Sequence, residues 1–509
     1  MKTNNILTIG LVAGVVMLSG CSDSFLEVTP PNQTTIDEYF TTDAHVQEAV
    51  VAAYDPLKWP DYCLGQYNPV NFMSDVMGDD VWAGGADRLD QPYIFLSSNY
   101  AALPTNCITA LWTEEYSGVK RCNDVIKYIG WAKANMTETS QKYCEAQVRV
   151  LRAYYHNNLW KFWGNIPCYL TNLEYPYTSP QLSADDVYKT VITDLEGAIG
   201  LDALPMKSSE DDLGRVTKAM AYMLYTEMVM YQNDETRYPT ALKYMQEIIN
   251  SGSYTLLKDY ADIWKESGEW STESIWEINY KDDNAARSWN NPMTTGGTVY
   301  PRFISPKDWI DGKDDVLNGW GYEPVRLETY ERYDAADARR AATCYDAKTK
   351  AKELGIKYAP RFQDTGYFLT KYLARPENNA GQKGDADLNF NNNLRVYRYS
   401  ECLLNAAELL VRTGGSTVDA GKYLNLVHSR AGLTDVVSPT VDNIINERQL
   451  EFVGEGKRYW DLIRTGKAAS TLVPDQYGYR TNTWSPSKKY LPIPQSELDS
   501  DPNLKQNNY

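Results

Sequence analysis

Residues 221–250 read AYMLYTEMVMYQNDETRYPTALKYMQEIIN, and the spacing of their apolar side chains decides the fold class. In the first half these side chains recur at i, i+3, i+4, i+7 and i+8, which is one face of a helix: Ala221, Leu224, Tyr225, Met228 and Val229. Asn233, Asp234 and Pro239 then indicate a turn. The same spacing returns in the second half at Ala241, Tyr244, Met245, Ile248 and Ile249. The stretch therefore predicts two helices joined by a short turn.

A second helix pair is predicted near the C-terminus, at about 397–432, and the first pair spans about 214–251. Further helices are expected at about 36–58, 107–132, 139–163, 184–200 and 440–465. Each pair has roughly the length of a tetratricopeptide unit. Because one pair cannot bury its apolar faces alone, such pairs stack. We expect a mostly α fold, a tetratricopeptide-like helix-pair scaffold (α-superhelix) with long irregular loop insertions and a few short strands.

Two long regions, at about 59–105 and 260–395, lack helical periodicity and are rich in Gly, Pro, Asn, Asp, Trp and Tyr. Loops of this length inside a compact domain are uncommon and tend to be functional. The clearest strand candidate, residues 274–280, lies in the second region and alternates apolar with polar residues. We expect residues 36–509 to form one domain in which these two regions bind the ligand.

The N-terminus has the features of a bacterial lipoprotein signal. An apolar run from Ile6 to Leu18 follows Lys2 and is too short to span a bilayer as a permanent helix. It ends in Leu18-Ser19-Gly20-Cys21, which resembles the lipoprotein cleavage site, where the cysteine thiol is lipidated. We expect residues 1–20 to be the signal peptide, Cys21 the lipid attachment site and residues 21–35 a surface tether. The alternative is an ordinary secreted protein.

Composition argues against several functional classes. The net charge of −17 repels phosphate backbones, so we expect no nucleic-acid partner. The seven cysteines other than Cys21 form no C-x-x-C motif and are expected to be small core residues. With three histidines in the chain, a zinc site has little support, and Lys313 and Val316 break the one stretch that looks like a calcium loop. We expect no cofactor and no metal.

Eight segments in order along the chain have the character of family motifs, among them RVLRAYYHNNLWKFWGNIP at 149–167, YRYSECLLNAAELL at 397–410 and INERQLEFVGEGKRYWDLIRTG at 445–466. Together they resemble the SusD-like (RagB-type) outer-membrane lipoproteins of the Bacteroidetes. The resemblance runs from Cys21 to Tyr509. It implies a glycan-binding protein without enzymatic activity, lipid-anchored in the cell outer membrane and facing the exterior. It also implies delivery of an oligosaccharide to a SusC-like TonB-dependent transporter.

The candidate ligand-binding residues are loop aromatics and one neighbouring amide. Sugar rings present C–H faces that stack on aromatic side chains, and hydroxyl edges that bind Asn, Asp, Gln and Arg. The candidates have Gly, Asn or Asp close by in stretches without helical periodicity: Trp82, Tyr93, Trp289, Asn290, Trp320 and Tyr322. We expect Trp320 to contribute most, because Gly319 and Gly321 leave its ring unshielded. The alternative for each tryptophan is that it plugs a loop onto the scaffold.

Three other functions remain open. A surface glycoside hydrolase requires two carboxylates a fixed distance apart, and the acidic neighbours Asp79-Asp80, Asp282-Asp283 and Asp314-Asp315 form no solid catalytic pair. Glu451 with Asp461 is a separate hypothetical acid–base pair. Ion pairing within or between helices is the preferred interpretation of both residues. A binding protein for peptide or glycopeptide is the second alternative, and a protein-interaction scaffold built on the helix pairs is the third. The scaffold alternative does not require loops rich in aromatic residues.

Overall fold

The computed structural model describes residues 34–309 and 313–509. Its α-helices are α1 (Ile36–Tyr39), α2 (Asp43–Tyr54), α3 (Val70–Met77), α4 (Pro92–Ser98), α5 (Ala110–Ala132), α6 (Glu138–Trp163), α7 (Ala184–Gly200), α8 (Lys218–Gln232), α9 (Tyr238–Asn250), α10 (Tyr300–Ile304), α11 (Leu327–Arg332), α12 (Arg339–Thr343), α13 (Ala347–Leu354), α14 (Tyr399–Arg412), α15 (Thr417–Arg430), α16 (Val441–Glu451), α17 (Arg458–Arg464), α18 (Ala468–Thr471) and α19 (Gln495–Ser500). The predicted signal peptide, Cys21 and residues 22–33 of the predicted tether lie outside the described residues.

The strands and 3₁₀ helices are short. The strands are β1 (Ile166–Pro167), β2 (Gln181–Leu182), β3 (Ser274–Ile278), β4 (Cys344–Asp346), β5 (Tyr367–Leu369) and β6 (Leu394–Arg398). The 3₁₀ helices are Asp55–Asp61, Lys133–Asn135, Glu210–Asp212, Tyr260–Trp264, Glu266–Gly268, Thr370–Tyr372, Pro376–Asn379, Ala386–Leu388 and Pro486–Lys488. The chain is thus mostly α with a few short strands, as the sequence predicts.

The scaffold is a row of helices in which each packs on the next, in the order α5, α6, α7, α8, α9, α14 and α15. Both predicted helix pairs are present as α8–α9 and α14–α15, and α9 contacts α14 although more than a hundred residues separate them in the chain. Side chains just before the helices fix their starts. Thr217 caps α8 and Ser416 caps α15 through hydrogen bonds to backbone N–H groups of the first turn.

Helix α8 lies at the centre of the core. From Ala219 to Tyr231 only Glu227 is less than fully buried. The helix ends at Asn233, which has a left-handed backbone with φ 57° and is the first residue of the predicted turn. The seven cysteines are buried and unpaired, in agreement with their prediction as small core residues. Within residues 34–309 and 313–509, no helix is both long and apolar enough to cross a membrane.

The predicted strand at 274–280 is present as β3, which ends two residues earlier and pairs antiparallel with β6. Ile278 lies opposite Leu394, and Ser274 lies opposite Arg398. Strand β6 continues directly into α14. The long insertion, residues 279–393, therefore leaves and rejoins the scaffold at adjacent positions on two paired strands.

Three predictions of local structure are wrong. The single helix expected at 440–465 is two helices, α16 and α17, because Gly454 and Gly456 adopt φ of 79° and 72° between them. The helix expected at 36–58 is α1 and α2 followed by a 3₁₀ helix that contains Pro56 and Pro60. The two regions expected to be irregular contain short helices, α3 and α4 in 59–105 and α10 to α13 in 260–395. In each case a short element lacks the repeated spacing that identifies a long helix.

A buried ionic network connects α16 and the segment after it to the insertion and the scaffold. Arg398 pairs with Glu273 at 2.7 Å, Glu451 at 2.9 Å and Glu455 at 2.7 Å. The other members are Arg339, Lys371, Arg430 and Glu447. Burial alone raises a carboxyl pKa, but the facing guanidinium groups lower the pKa of Glu451 below its ordinary value. We call these eight residues the ionic network.

Candidate functional site

Four aromatic side chains from three distant segments meet at the surface. Trp289 and Trp320 are nearly parallel, with ring centroids 6.0 Å apart and an interplanar angle of 29°. The Tyr62 ring meets Trp289 edge-on at 5.1 Å, and the Tyr67 ring meets Trp320 in the same way at 5.6 Å. Tyr62 and Tyr67 stack on each other at 4.8 Å. We call these four residues the aromatic platform.

The loop that carries Trp289 is held by a buried ion pair. The Arg287 guanidinium contacts both carboxylate oxygens of Asp61, at 2.6 Å and 2.7 Å, and also donates to the backbone oxygens of Tyr62 and Pro292. Burial opposes the charge, but Asp61 raises the pKa of Arg287 above its ordinary value, so the guanidinium stays charged. Arg287 therefore fixes the Trp289 loop against the segment that carries Tyr62.

A tight turn completes the position of Trp289. The Asn291 N–H donates to the Ser288 carbonyl at 3.0 Å, and the Trp289 N–H donates to the Asp385 carboxylate at 2.8 Å. With its backbone tied in this way, the Trp289 ring remains 37% exposed. Asn290, the predicted amide contact, is exposed beside it in the same turn.

Trp320 is set by the two glycines that flank it, although not for the reason predicted. A Cβ at Gly319 would lie 2.2 Å from the Ser305 carbonyl oxygen, and Gly321 has a φ of 76°. Both positions thus require glycine for the backbone path. The Trp320 ring is half-buried against the main core, so the prediction of an unshielded ring is wrong, and Trp289 is the more exposed of the pair.

Two other predicted contact residues lie beneath the platform. Tyr322 is 3% exposed and stacks on Phe303 at 4.0 Å, and Phe303 in turn meets Trp320 and Tyr67. Tyr93 is buried, and its hydroxyl accepts from the Tyr67 N–H and donates to the Tyr67 carbonyl. Both residues position platform rings and do not present their own rings at the surface.

Trp82 is the largest departure from the predicted site. It is 2% exposed, packs edge-on against Tyr479 and lies under the Arg326 guanidinium, 3.5 Å from its ring centre. It makes no ring contact with the platform among the described residues. The prediction that Trp82 shares one exposed face with Trp289 and Trp320 is wrong, and its alternative, a tryptophan that plugs a loop onto the scaffold, fits.

Tyr62 and Tyr67 were not predicted as site residues, although they lie in the loop region assigned to ligand binding. The signal available in the sequence is DYCLGQYNP at 61–69, two tyrosines around a glycine in a stretch without helical periodicity. Gly65 in that stretch has a φ of 83°. The prediction selected the tryptophans of such stretches and did not select these two tyrosines.

Polar groups surround the rings. Asp385 binds the Trp289 backbone, and Asp387 pairs with Arg302 at 2.7 Å. Burial, followed by neighbouring acidic groups, raises the pKa of Tyr67 above its ordinary value, so its hydroxyl is neutral at physiological pH. The site offers flat apolar faces with carboxylate, amide and phenol groups close by, which suits a ligand with C–H faces and hydroxyl edges.

The two carboxylates of the hypothetical acid–base pair, Glu451 and Asp461, each form buried ion pairs with arginines. Glu451 is fully buried in the ionic network, and Asp461 is buried between Arg448 at 2.8 Å and Arg464 at 2.7 Å. Neither carboxylate is open to a substrate, so the acid–base hypothesis for Glu451 and Asp461 is wrong. Within the described ranges, no group of three or more His, Cys, Asp or Glu side chains is arranged to hold a metal ion.

A separate groove of about 580 Å³ lies between the N-terminal end of α5, the loop after β1 and the C-terminal segment. Its lining includes Trp112, Tyr116, Tyr169, Tyr177 and Leu504. It contains none of the predicted ligand contacts and shares no lining residue with the aromatic platform.

Comparison with known families gives matches at both ends of the chain. The profile of the SusD family matches residues 354–509. A profile described as starch-binding and associating with the outer membrane matches residues 24–228. The starch-binding protein SusD of Bacteroides thetaiotaomicron is 23% identical, over 73% of this chain and 74% of that protein.

Solved structures are more similar. Surface glycan-binding protein A from Bacteroides thetaiotaomicron, in complex with laminarihexaose, is 59% identical, with a TM-score of 0.89 over 92% of this chain and 100% of that one. A laminarin-binding SusD-like protein is 30% identical, with a TM-score of 0.81 over 92% of this chain and 99% of that one.

Proposed function

The chain belongs to the SusD-like family, and on that premise we propose that it captures a glycan chain on the aromatic platform at the cell surface. The observation that supports this most directly is the Trp289–Trp320 pair, half-exposed and rigidly held, with acidic and amide groups beside it. A sugar chain laid across the platform stacks its C–H faces on the rings, and its hydroxyl edges reach the polar groups.

The platform geometry suits weak and reversible binding. Each ring stacked on a sugar adds about 0.5–1.5 kcal/mol, so two or three rings and a few hydrogen bonds give about −4 to −6 kcal/mol. On the affinity scale this corresponds to roughly millimolar to tens of micromolar dissociation constants. A capture protein that passes its cargo onward can work in this range, because the bound chain leaves quickly.

We propose a neutral β-1,3-glucan as the ligand class. The relative bound to laminarihexaose and the laminarin-binding relative both cover over nine-tenths of this chain, and laminarin is a β-1,3-linked glucan. Charge supports a neutral ligand independently. At a net charge of −17, the protein repels an anionic polysaccharide at long range.

The cellular setting follows from family membership and the N-terminal sequence. We propose that Cys21 carries the lipid anchor, that the body faces the exterior of the outer membrane, and that a SusC-like TonB-dependent transporter receives the glycan. The profile that matches residues 24–228 and describes outer-membrane association supports the location.

Calorimetry tests the proposed binding function. Wild-type protein is titrated with laminarihexaose, cellohexaose, maltohexaose and a peptide of similar length. We expect heat of binding with laminarihexaose, and no such heat with the Trp289→Ala/Trp320→Ala double variant. Trp131→Ala is the matched control, because Trp131 on α5 is also 37% exposed and lies outside the platform. Equal binding by the double variant and the control would contradict the platform assignment.

The same samples test the hydrolase and peptide alternatives. Reducing ends are counted after prolonged incubation of wild-type protein with laminarin, and we expect no increase over a protein-free sample. A steady increase that survives repurification would favour the hydrolase. Binding of the peptide in place of every glucan would favour a non-glycan nutrient.

The proposed lipid anchor and the proposed transporter partner are tested in cells. Cys21→Ala is expected to abolish lipid labelling and move the protein from the outer membrane to the soluble periplasmic fraction. Affinity purification of wild-type protein in mild detergent is expected to recover an outer-membrane transporter of the SusC class. Recovery of the protein alone, with the anchor intact, would contradict the partnership.

A further inference from the structure

A second group of aromatic side chains lies beyond the platform. Phe362 is 5.8 Å from Phe95 and 5.9 Å from Tyr479, measured between ring centroids, and Tyr477 is 5.7 Å from Tyr479. Tyr477 is exposed and the other three rings are half-buried. We call these four residues the outer patch. Its members come from α4, from residues 361–363 and from residues 475–480.

The outer patch is built on a fixed backbone. The Asp475 carboxylate accepts from the N–H groups of Tyr477 at 2.7 Å and Tyr479 at 3.2 Å, which closes their loop. The Arg88 side chain donates to the Gly478 carbonyl at 3.2 Å, and its guanidinium carbon lies 5.3 Å from the Phe95 ring centre. The loop is thus tied both to itself and to the segment before α4.

Trp82 supports the outer patch from below. The Trp82 ring meets Tyr479 edge-on at 5.3 Å, and the Arg326 guanidinium lies over the Trp82 ring. Within the described part of the chain, Trp82 makes no ring contact with the platform, but through Tyr479 it contacts the outer patch. It holds Tyr479 in place while remaining out of reach of solvent.

Three consecutive residues connect the outer patch to the platform. Arg361 donates to the Trp320 carbonyl at 3.1 Å, Phe362 is the central ring of the outer patch, and the Gln363 side chain accepts from the Gly84 N–H at 2.9 Å. Gly84 pairs with Tyr322, the residue beneath the platform. The two aromatic surfaces are therefore connected by hydrogen bonds on either side of Phe362.

We propose that the outer patch is a second contact surface for the same neutral glucan chain, engaged only by chains that extend past the platform. This inference rests on the proposed function and concerns the length of ligand that the protein selects. The continuity through residues 361–363 supports it, as does the polar edge formed by the Arg88 guanidinium and the Tyr477 hydroxyl, which accepts from Gln476.

A length series of laminarin oligosaccharides, from trisaccharide to polymer, tests the proposal by calorimetry. Phe362→Ala/Tyr477→Ala is compared with wild type. We expect an unchanged dissociation constant for the shortest oligosaccharides that bind, and a roughly three- to tenfold weaker one for the polymer. The matched control is Tyr175→Ala/Tyr177→Ala, since these two exposed tyrosines also contact each other, at 6.1 Å, on a different loop.

The outcomes separate cleanly. Equal weakening at every length would show that the substitutions disturb the platform, and no weakening at any length would show that the outer patch does not contact glucan; either result overturns the proposal. If binding is unchanged and the transporter is no longer recovered with the variant, the surface belongs to the protein partner. Failure of wild-type protein to bind any glucan refutes the proposed function itself, before the variants are compared.

Discussion

The ionic network and the aromatic platform invert the usual distribution of side chains. The network places charged groups in the core, with Arg398 and Glu451 fully buried, whereas the platform leaves the Trp289 ring in contact with solvent. Buried charges have their partners within the protein, and exposed rings lack a complete set of neighbours. It follows that the charged segment at 445–466, one of those that resemble the family, holds the scaffold together, while the proposed ligand contacts lie in loops without a regular pattern.

Removing the centre of the ionic network is expected to have the largest effect on stability. Arg398→Met leaves Glu273, Glu451 and Glu455 buried without their shared partner. We expect the free energy of unfolding to fall by about 5 kcal/mol, the upper end for a broken buried ion pair. Urea denaturation measures it. At urea concentrations where the variant is still folded, its glucan affinity is expected to match wild type.

The matched control for Arg398 is an exposed ion pair. Lys142→Met removes the partner of Glu138 on α6, where both side chains are largely in solvent. We expect a change of less than about 0.5 kcal/mol. Similar losses in the two variants would mean that burial does not distinguish the network from surface pairs.

Arg287 combines the two features, because its buried ion pair with Asp61 holds the loop that contains the exposed Trp289. Arg287→Met is expected to lower the free energy of unfolding by about 3 kcal/mol and also to weaken glucan binding. Denaturation and calorimetry on the same preparation measure both. Weakened stability with wild-type affinity would show that the platform keeps its geometry without this pair.

The platform tryptophans are expected to affect binding more than stability. Trp289→Ala is expected to weaken glucan binding roughly two- to tenfold with little change in melting temperature, since the ring fills no core space. Trp320→Ala is expected to weaken binding similarly and also to cost about 1–2 kcal/mol of stability, because its ring is half-buried. A melting-temperature loss for Trp289→Ala with intact binding would make it a structural residue.

The smallest expected effect concerns His428 at the edge of the network. Its ring nitrogens lie 2.8 Å from the Glu447 carboxylate and 3.0 Å from the Asp435 carboxylate. Glu447 above all, against the opposing effect of burial, raises the pKa of His428 to about 9. The stabilisation is fully present below the unfolded-state pKa of about 6.5 and is lost as the pH rises through the folded-state value.

Unfolding free energies at several pH values from 6 to 10 measure this effect. The difference between wild type and His428→Gln is expected to shrink by about 1 kcal/mol across that range, less than full linkage because Asp435 is in solvent. His45→Gln is the control, since the His45 ring contacts a backbone carbonyl and no pair of carboxylates. A constant difference for His428→Gln would show that the ring makes no charged contact.

Much of the fold could be predicted because long helices repeat their apolar spacing many times. Helices α5, α6 and α7 begin and end within three residues of the predicted bounds. The break between α16 and α17 could not be predicted in this way, because glycines are also found within helices and the sequence does not show that Gly454 and Gly456 have positive φ. The contact between α9 and α14 depends on tertiary packing, which local spacing does not encode.

The sequence predicted that the site consists of loop aromatics, but it identified only some of the residues that form it. Trp289, Asn290 and Trp320 are at the surface, while Trp82, Tyr93 and Tyr322 are buried beneath aromatic neighbours. Local sequence shows that an aromatic residue lies in an irregular loop, but burial depends on which distant segment covers it. Tyr62 becomes a site residue through Arg287, more than two hundred residues later in the chain.

The pairing of β3 with β6 has a consequence for how such proteins diversify. Because Ile278 and Leu394 face each other, residues 279–393 can lengthen or change sequence while the two points of attachment stay together. The entropic cost of a longer loop grows only with the logarithm of its length, about 0.6 kcal/mol for each doubling. Evolution can therefore exchange the loops within this segment that carry Trp289 and Trp320, and with them the proposed glycan preference, while Arg339 and Lys371 keep their ion pairs with the scaffold. Grafting residues 279–393 between relatives would be the engineering counterpart.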